Sequence, residues 1–161
     1  MEGQQKIAPC LWFDGNAEEA AEFYVSVFPN SRIIERVKSP SDWPSGKAED
    51  VILMVFELDG QTYQALNGGP SAEFNDAVSL SVSCKDQAEV DRYWDALTAD
   101  GGTPVQCGWL KDKYGLRWQI VPEIMPEMLR HPDRAKAKRA MEAMFGMVKI
   151  DVEAIKKAAA G

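Results

Sequence analysis

The chain has 161 residues, of which 45% are hydrophobic, enough for one ordinary domain or for two small halves that share a core. A formal net charge of −7 at pH 7 argues against a general binding surface for nucleic acid or for an anionic membrane. No apolar run approaches the roughly 20 residues that a membrane-spanning helix needs, and the first residues lack the apolar core of a signal peptide. Because Cys10, Cys84 and Cys107 are scattered without C-x-x-C spacing, we expect reduced thiols in a cytoplasmic protein.

The first half of the chain reads as a strand, a helix and then further strands. Residues 7–13 (IAPCLWF) are apolar and aromatic, which predicts a buried strand. Asn16 and Glu19 form a capping-box pattern, and Pro29 ends the amphipathic helix that follows. Asp59-Gly60 is a strong signal for a hairpin turn. The other strands are predicted at residues 31–38, 51–58 and 61–66, with a loop rich in Pro, Ser and Gly at residues 39–50.

The second half repeats this order and then adds helices. Residues 77–83 predict a strand, and Asp86 with Glu89 forms another capping box at the start of a helix. Gly101-Gly102 is a typical helix stop. Further strands are predicted at residues 103–106, 109–113 and 117–121, and helices at residues 122–129, 133–145 and 151–160.

The two halves are related by an internal repeat of about 60–70 residues. A shift of 70 residues places Asn16 on Asp86, and a shift of 55 residues places Gln64 on Gln119. Each copy reads β-α-β-β-β, so the predicted fold class is α+β, with two four-stranded sheets that each carry a helix on one face. We assign residues 1–70 to the first module, residues 71–122 to the second and residues 123–161 to a helical extension, all within one structural domain. The uncovered faces of the two sheets are expected to pair into a curved cleft.

Several segments form one recognisable set of motifs: residues 11–20 (LWFDGNAEEA) with 23–24 (FY), 28–31 (FPNS), 65–70 (ALNGGP), the helix at 87–94, 107–112 (CGWLKD) and 118–122 (WQIVP). Together they resemble the vicinal oxygen chelate superfamily, which includes glyoxalases, bleomycin-resistance proteins and extradiol dioxygenases. More narrowly, the chain is similar to the PhnB-like family, often labelled 3-demethylubiquinone-9 3-methyltransferase. The resemblance covers residues 5–160 approximately, and it implies a homodimer, because superfamily members commonly complete their clefts by pairing or swapping modules.

The resemblance also implies where a divalent metal would bind, on the first and fourth strands of each module. The matching positions hold Pro9 and Gln64 in the first module, and Ser79 and Gln119 in the second. Proline has no side-chain donor atom, a lone hydroxyl is a poor ligand, and amide oxygens are weak neutral ligands. We therefore expect no metal and no other cofactor. The alternative is a lyase, isomerase or dioxygenase that holds a divalent ion through the two glutamines and water.

The methyltransferase activity in the family label is a further alternative. S-adenosylmethionine sites commonly use a Gly-rich turn between a strand and a helix of a parallel sheet. The sequence contains no G-x-G-x-x-G motif, and two β-α-β-β-β modules offer no crevice of that kind. We therefore do not expect methyl transfer, and we assign no catalytic residue.

Polar residues at alternate strand positions are the first candidates for ligand binding. Because side chains alternate along a strand, Arg117, Gln119 and Val121 share one face, and Trp118 and Ile120 share the other. Gln64 and Gln119 would orient a ligand through their amides, or else satisfy each other or buried backbone groups. Ser79 and Ser81 belong to a strand face of small polar side chains, which leaves room for a cavity.

Aromatic and cationic residues complete the candidate site. Trp109 would form an aromatic wall, and Trp43, in the long loop, would form a lid over the pocket. Asn67 lies at the end of the first module and is included as a ligand-binding candidate. Arg117, with two neighbouring lysines, would attract an anionic ligand or belong to a solvated rim.

These residues predict a binding protein for a small, partly aromatic or apolar molecule. Sequestration of such a compound requires no catalytic group, and the acidity of the whole chain would suit a cationic compound. Whether the protein is an enzyme stays open, and so does a scaffold in which the Trp side chains only pack.

Overall fold

The computed structural model describes residues 5–161, and the chain divides into two compact units, Met1–Glu73 and Phe74–Gly161. Each unit contains a four-stranded mixed sheet and a helix that packs on one of its faces. The predicted α+β class, with two β-α-β-β-β modules and C-terminal helices, is confirmed. Among the described residues, no helix is both long and apolar enough to cross a membrane.

The sheet of the first unit has the strand order β1-β4-β3-β2, with β1 parallel to β4 and the other neighbours antiparallel. Its covered face packs on the helix through stacked rings, with centroids 6.5 Å apart for Tyr24 and Phe56, and 5.7 Å apart for Phe56 and Tyr63. The elements are β1 (Cys10–Phe13), α1 (Ala17–Val27), β2 (Arg32–Lys38), β3 (Val51–Leu58) and β4 (Gln61–Asn67).

The sheet of the second unit has the equivalent order β5-β8-β7-β6, again with one parallel pair, β5 and β8. The predicted alternation along β8 is confirmed, because Trp118 and Ile120 are buried whereas Gln119 is half-buried. The elements are β5 (Leu80–Cys84), α2 (Gln87–Thr98), a 3-10 turn (Ala99–Gly101), β6 (Thr103–Pro104), β7 (Trp109–Lys111) and β8 (Arg117–Pro122).

The C-terminal helices belong to the second compact unit. Two backbone hydrogen bonds tie the segment after α4 to the start of β7, from Cys107 N to the Met147 carbonyl and from Gly108 N to the Val148 carbonyl, each at 2.8 Å. The helices are α3 (Ile124–Leu129), α4 (Arg134–Phe145) and α5 (Val152–Ala160). They enclose a small core of Met125, Ala140, Ile150, Ile155 and Ala159.

Several predicted strand boundaries were wrong, for local reasons. The first strand begins at Cys10 and not at residue 7, since Pro9 has no N–H to donate and Ile7 is 88% exposed. The strand predicted at residues 77–83 lies at Leu80–Cys84. The strands predicted at residues 103–106 and 109–113 are shorter, at Thr103–Pro104 and Trp109–Lys111, and Asp112 starts the turn after the second of them by accepting from Tyr114 N and Gly115 N.

Helix capping agrees with the prediction in one module only. Asp86 caps α2 by accepting from Glu89 N at 2.9 Å, and the Glu89 carboxylate accepts from Lys85 N at 2.9 Å. Asn16 makes no side-chain capping bond. The Asn67 side chain caps α1 instead, because its Oδ1 accepts a hydrogen bond from Ala17 N at 2.9 Å.

We expect the replacement of Asn67 by alanine to lower the free energy of unfolding by about 1–2 kcal/mol. Its amide also donates to the Val51 carbonyl at 2.9 Å, so two backbone groups lose a buried partner. Urea denaturation of Asn67→Ala and of the control Asn16→Ala measures the difference. An equal loss in both variants would contradict the cap assigned to Asn67.

Candidate functional site

Three of the predicted ligand-binding residues form one row across the second sheet. Ser81 on β5 pairs with Gln119 on β8, and Gln119 pairs with Trp109 on β7. Paired residues of neighbouring strands point to the same side of a sheet, so all three side chains lie on the face opposite α2. We call this face of the second sheet the open face. It is formed by Ser79, Ser81, Ser83, Trp109, Lys111, Arg117, Gln119 and Val121.

Gln119 lies at the centre of this row and is held in place by a neighbour. Its Nε2 donates to the Ser79 hydroxyl at 2.9 Å, so the structure brings these two predicted residues together. The Gln119 side-chain oxygen, Oε1, accepts no hydrogen bond from any of residues 5–161. Because Ser79 fixes the orientation of the amide, this oxygen is an acceptor held in a constant position on the open face.

The next row along the same face carries two cationic residues, Lys111 on β7 and Arg117 on β8. The Arg117 side chain is only 13% exposed. Its Nη1 donates to the Phe74 and Gly115 carbonyls at 3.1 and 2.7 Å, and its Nε donates to the Asp76 carboxylate at 2.7 Å. This hydrogen bond from Arg117 is the main reason why the pKa of Asp76 lies below its usual range.

In the first sheet the corresponding row is Cys10, Gln64 and Val55. The β1 residue paired with Gln64 is therefore Cys10 and not Pro9, which contributes its backbone carbonyl as the acceptor for Gln64 N at 2.9 Å. The Gln64 side chain is half-buried on the face opposite α1.

The expected match between Pro9 and Ser79 is off by one residue, because the connections from strand to helix differ in length between the two modules. Three residues, 14–16, lie between β1 and α1, whereas two residues, 85 and 86, lie between β5 and α2. Counting back from the helix start therefore misaligns the first strands by one residue. By pairing with the two glutamines, Cys10 corresponds to Ser81, and at the same offset Ser79 corresponds to Ala8 and not to Pro9.

The side chains at the positions of the superfamily metal ligands do not suit a divalent ion. Pro9 has no donor atom, and the Ser79 hydroxyl accepts from Gln119. Gln64 and Gln119 contribute only neutral amides, whereas catalytic metals of this kind are held mainly by imidazole or carboxylate. Within residues 5–161, no group of three or more His, Cys, Asp or Glu side chains could hold a metal ion.

Trp43 and Asn67 are both engaged within the first unit. The indole N–H of Trp43 donates to the Asn67 carbonyl at 3.1 Å, and Trp43 pairs with Gly46 in a tight turn. A Cβ atom on Gly46 would clash with the Trp43 ring, so the ring rests directly on this glycine. The loop is therefore anchored to the end of β4, beside a cavity of about 220 Å³ next to the start of α1.

A larger cavity, of about 540 Å³, lies between the first turn of α2, α3 and α5. Its walls carry charges of both signs, from Lys85 and Lys156 and from Asp86, Glu123, Glu127 and Glu153. None of the predicted ligand-binding residues lines it. Its walls come from segments far apart in the chain, so no local sequence pattern predicts this cavity.

The cysteines are free thiols. Burial raises the pKa of Cys84 to about 12, so this thiol is protonated and a poor nucleophile at neutral pH. The sequence analysis missed Asp76, the carboxylate bound to Arg117, and Cys10, the neighbour of Gln64. Neither belongs to a motif, and only the hydrogen bonds and strand pairing of the fold identify them.

Comparison with known proteins agrees with these motifs. Residues 5–121 match the family model described as 3-demethylubiquinone-9 3-methyltransferase. The PhnB protein from Bacillus cereus is 35% identical, with 73% of this chain and 99% of that chain covered and a TM-score of 0.66. A protein from Pseudomonas aeruginosa is 20% identical, with 74% and 98% covered and a TM-score of 0.62, a likeness in fold. None of the curated proteins matches the chain.

A glyoxalase/bleomycin resistance protein from Albidiferax ferrireducens T118 is 15% identical, with 74% of this chain and 99% of that chain covered and a TM-score of 0.48. The family model ends at Val121, just before α3 begins at Ile124. The three C-terminal helices therefore lie outside the part of the chain that defines the family.

Proposed function

We propose a binding function for this chain, which belongs to the PhnB-like family described as 3-demethylubiquinone-9 3-methyltransferase, within the vicinal oxygen chelate superfamily. Its ligand would be a small, partly aromatic molecule. The ligand would lie on the open face of the second sheet, without a metal ion. The observation that carries this proposal is the row of Ser81, Gln119 and Trp109 across neighbouring strands.

The chemistry of this row suits recognition of a flat organic molecule. Small-molecule sites combine an apolar or aromatic wall with a few fixed polar groups that orient the ligand. Trp109 provides the aromatic wall, and its half-buried indole can stack with a ring. The Gln119 oxygen offers an acceptor, and the small, exposed Ser81 leaves space above the sheet.

The open face carries few groups that could catalyse a reaction. Its strand side chains are hydroxyls, one amide, one indole, one valine and two cations, and the carboxylate beside them, Asp76, is bound to Arg117, which lowers its pKa and makes it a weak general base. We therefore propose binding or sequestration and no chemical step. We further expect a homodimer in the cytoplasm.

A thermal-shift screen with aromatic metabolites and antibiotics tests this function, because a ligand that binds the folded state must raise Tm. At a ligand concentration of about 100 times Kd the stabilisation is about 2.7 kcal/mol. We expect the shift to be lost in Trp109→Ala and kept in Phe145→Ala, a control that removes an aromatic ring elsewhere in the same unit.

Two outcomes would contradict the proposal. One is that no compound raises Tm; the other is that the shift survives in Trp109→Ala. Elemental analysis of protein purified without chelator adds a separate check, since stoichiometric Mn, Fe, Ni or Zn would favour the metal-dependent lyase, isomerase or dioxygenase. Stabilisation by S-adenosylmethionine would favour methyl transfer.

A further inference from the structure

The local charge of the open face is opposite to that of the whole chain. The formal net charge of the protein is −7, which by itself would favour a cationic ligand. On the open face, however, the charged side chains are Lys111 and Arg117, which lie in one row. The nearest carboxylate bound there, Asp76, comes from the segment that precedes β5. With Asp76 counted, this part of the face carries two cations against one carboxylate, a formal charge of +1.

Arg117 is held in position independently of Asp76. Its Nη1 donates to the carbonyls of Phe74 and Gly115, and its side chain is 13% exposed, so little conformational freedom remains to be lost on binding. Asp76, in contrast, is 79% exposed. The pair thus consists of a fixed guanidinium and a carboxylate that reaches it from the solvent side.

The hydrogen-bonding capacity of Arg117 is only partly used. Asp76 accepts from Nε through Oδ1, and Nη2 donates to none of residues 5–161. The Nε and Nη2 edge of a guanidinium is the edge that binds a carboxylate with two parallel hydrogen bonds. A carboxylate from a ligand could therefore form a bidentate pair where Asp76 forms a single bond.

The distance between the two rows sets the size of such a ligand. Arg117 and Gln119 are two residues apart on β8, which is about 7 Å along a strand. Trp109 pairs with Gln119, and Lys111 pairs with Arg117. An aromatic ring placed on Trp109 would thus have its oxyanion near Arg117 if a short linker of two or three atoms joined them.

We infer that the ligand of the open face is an aromatic or apolar molecule with a carboxylate or similar planar oxyanion, which displaces Asp76 from Arg117. This inference rests on the proposed function and names the class of ligand. Asp76 then acts as an internal occupant of the anion position, and it leaves when the ligand binds.

Three probes that share one ring separate the charge from the ring itself: 3-phenylpropanoate, 3-phenylpropanamide and 3-phenylpropylammonium. Proton–nitrogen correlation spectra of the full chain report binding through the signals of the Gln119 side-chain amide and the Trp109 indole. The two signals are assigned by their disappearance in Gln119→Leu and Trp109→Phe. We expect the carboxylate to bind at least about tenfold more tightly than the amide, and the ammonium to bind most weakly.

Variants at the ion pair test the displacement. Asp76→Asn should tighten binding of 3-phenylpropanoate several-fold and leave binding of the amide unchanged, because the competing charge is gone. Arg117→Gln should remove the preference for the carboxylate. The control Asp95→Asn makes the same change in net charge on an exposed residue of α2, and it should have no effect. Thermal unfolding of each variant checks that it is folded.

Each failure has a distinct signature. Equal binding of the three probes at Gln119 and Trp109 would overturn the anionic ligand and leave the proposed function standing. If none of the probes perturbed these two signals, the proposed function itself would be wrong. If Asp76→Asn weakened binding of 3-phenylpropanoate, or Asp95→Asn strengthened it equally, displacement of Asp76 would be excluded.

Discussion

Replacement of Asp112 by alanine is expected to lower the free energy of unfolding by about 3–5 kcal/mol. Asp112 is 3% exposed and lies between β7 and β8. Its Oδ1 accepts from Tyr114 N at 2.8 Å and from Leu116 N at 3.1 Å, and its Oδ2 accepts from the Trp118 indole at 2.9 Å. Alanine leaves all three donors without this acceptor in a region with little water.

The loss should appear as a lower urea midpoint, and Asp112→Asn should fall between alanine and wild type. An asparagine side chain keeps one acceptor oxygen, so it can serve either the turn or the indole but not both. Asp95→Ala is the matched control, because Asp95 is exposed on α2 in the same unit. Similar midpoints for Asp112→Ala and Asp95→Ala would show that the turn does not depend on this carboxylate.

Replacement of Gly108 by alanine is expected to cost about 2–5 kcal/mol, since it combines backbone strain with overpacking. The φ of Gly108 is +81°, and a Cβ there would lie 2.8 Å from Ile150 Cδ1 and 2.9 Å from the Ile120 carbonyl oxygen. The isoleucine side chain can move, but the backbone oxygen of β8 cannot move without disturbing the sheet.

Gly101→Ala separates the two contributions. Gly101 also has a positive φ, +106°, but a Cβ there would meet nothing within 4 Å. Gly101→Ala should lower the free energy of unfolding by about 1–2 kcal/mol, which is the cost of the backbone strain alone. Equal thermal midpoints for the two variants would mean that contact with Ile150 and Ile120 adds no cost at Gly108.

Local patterns were sufficient to predict most elements of the fold. The hairpin at Asp59-Gly60 was predictable because both residues adopt positive φ there, 48° and 80°, as this dipeptide favours. The cap of α1 was not predictable, because Asn16 fits the local pattern while the acceptor comes from Asn67, 51 residues further along the chain. A pattern within one segment contains no information about such a distant competitor.

The candidate site was likewise predictable where local patterns decide it and not where distant residues do. Strand alternation was enough to place Gln119 and Arg117 on one face, and the serine pattern placed Ser81 opposite α2. Strand register is set by pairing and connection length, so the alignment of Pro9 with Ser79 failed by a single residue. The partner of Arg117 was equally hidden, since Asp76 lies outside every predicted element.

The short hydrogen bonds from Cys107 and Gly108 to the segment after α4 have a practical meaning for anyone who designs a shortened version of this protein. The family model ends at Val121, but the second compact unit continues to Gly161. A protein truncated after Val121 would lack the Met147 and Val148 carbonyls that accept hydrogen bonds from Cys107 and Gly108, directly before Trp109. The boundary for a shortened version is therefore set by the compact unit and not by the segment that matches the family.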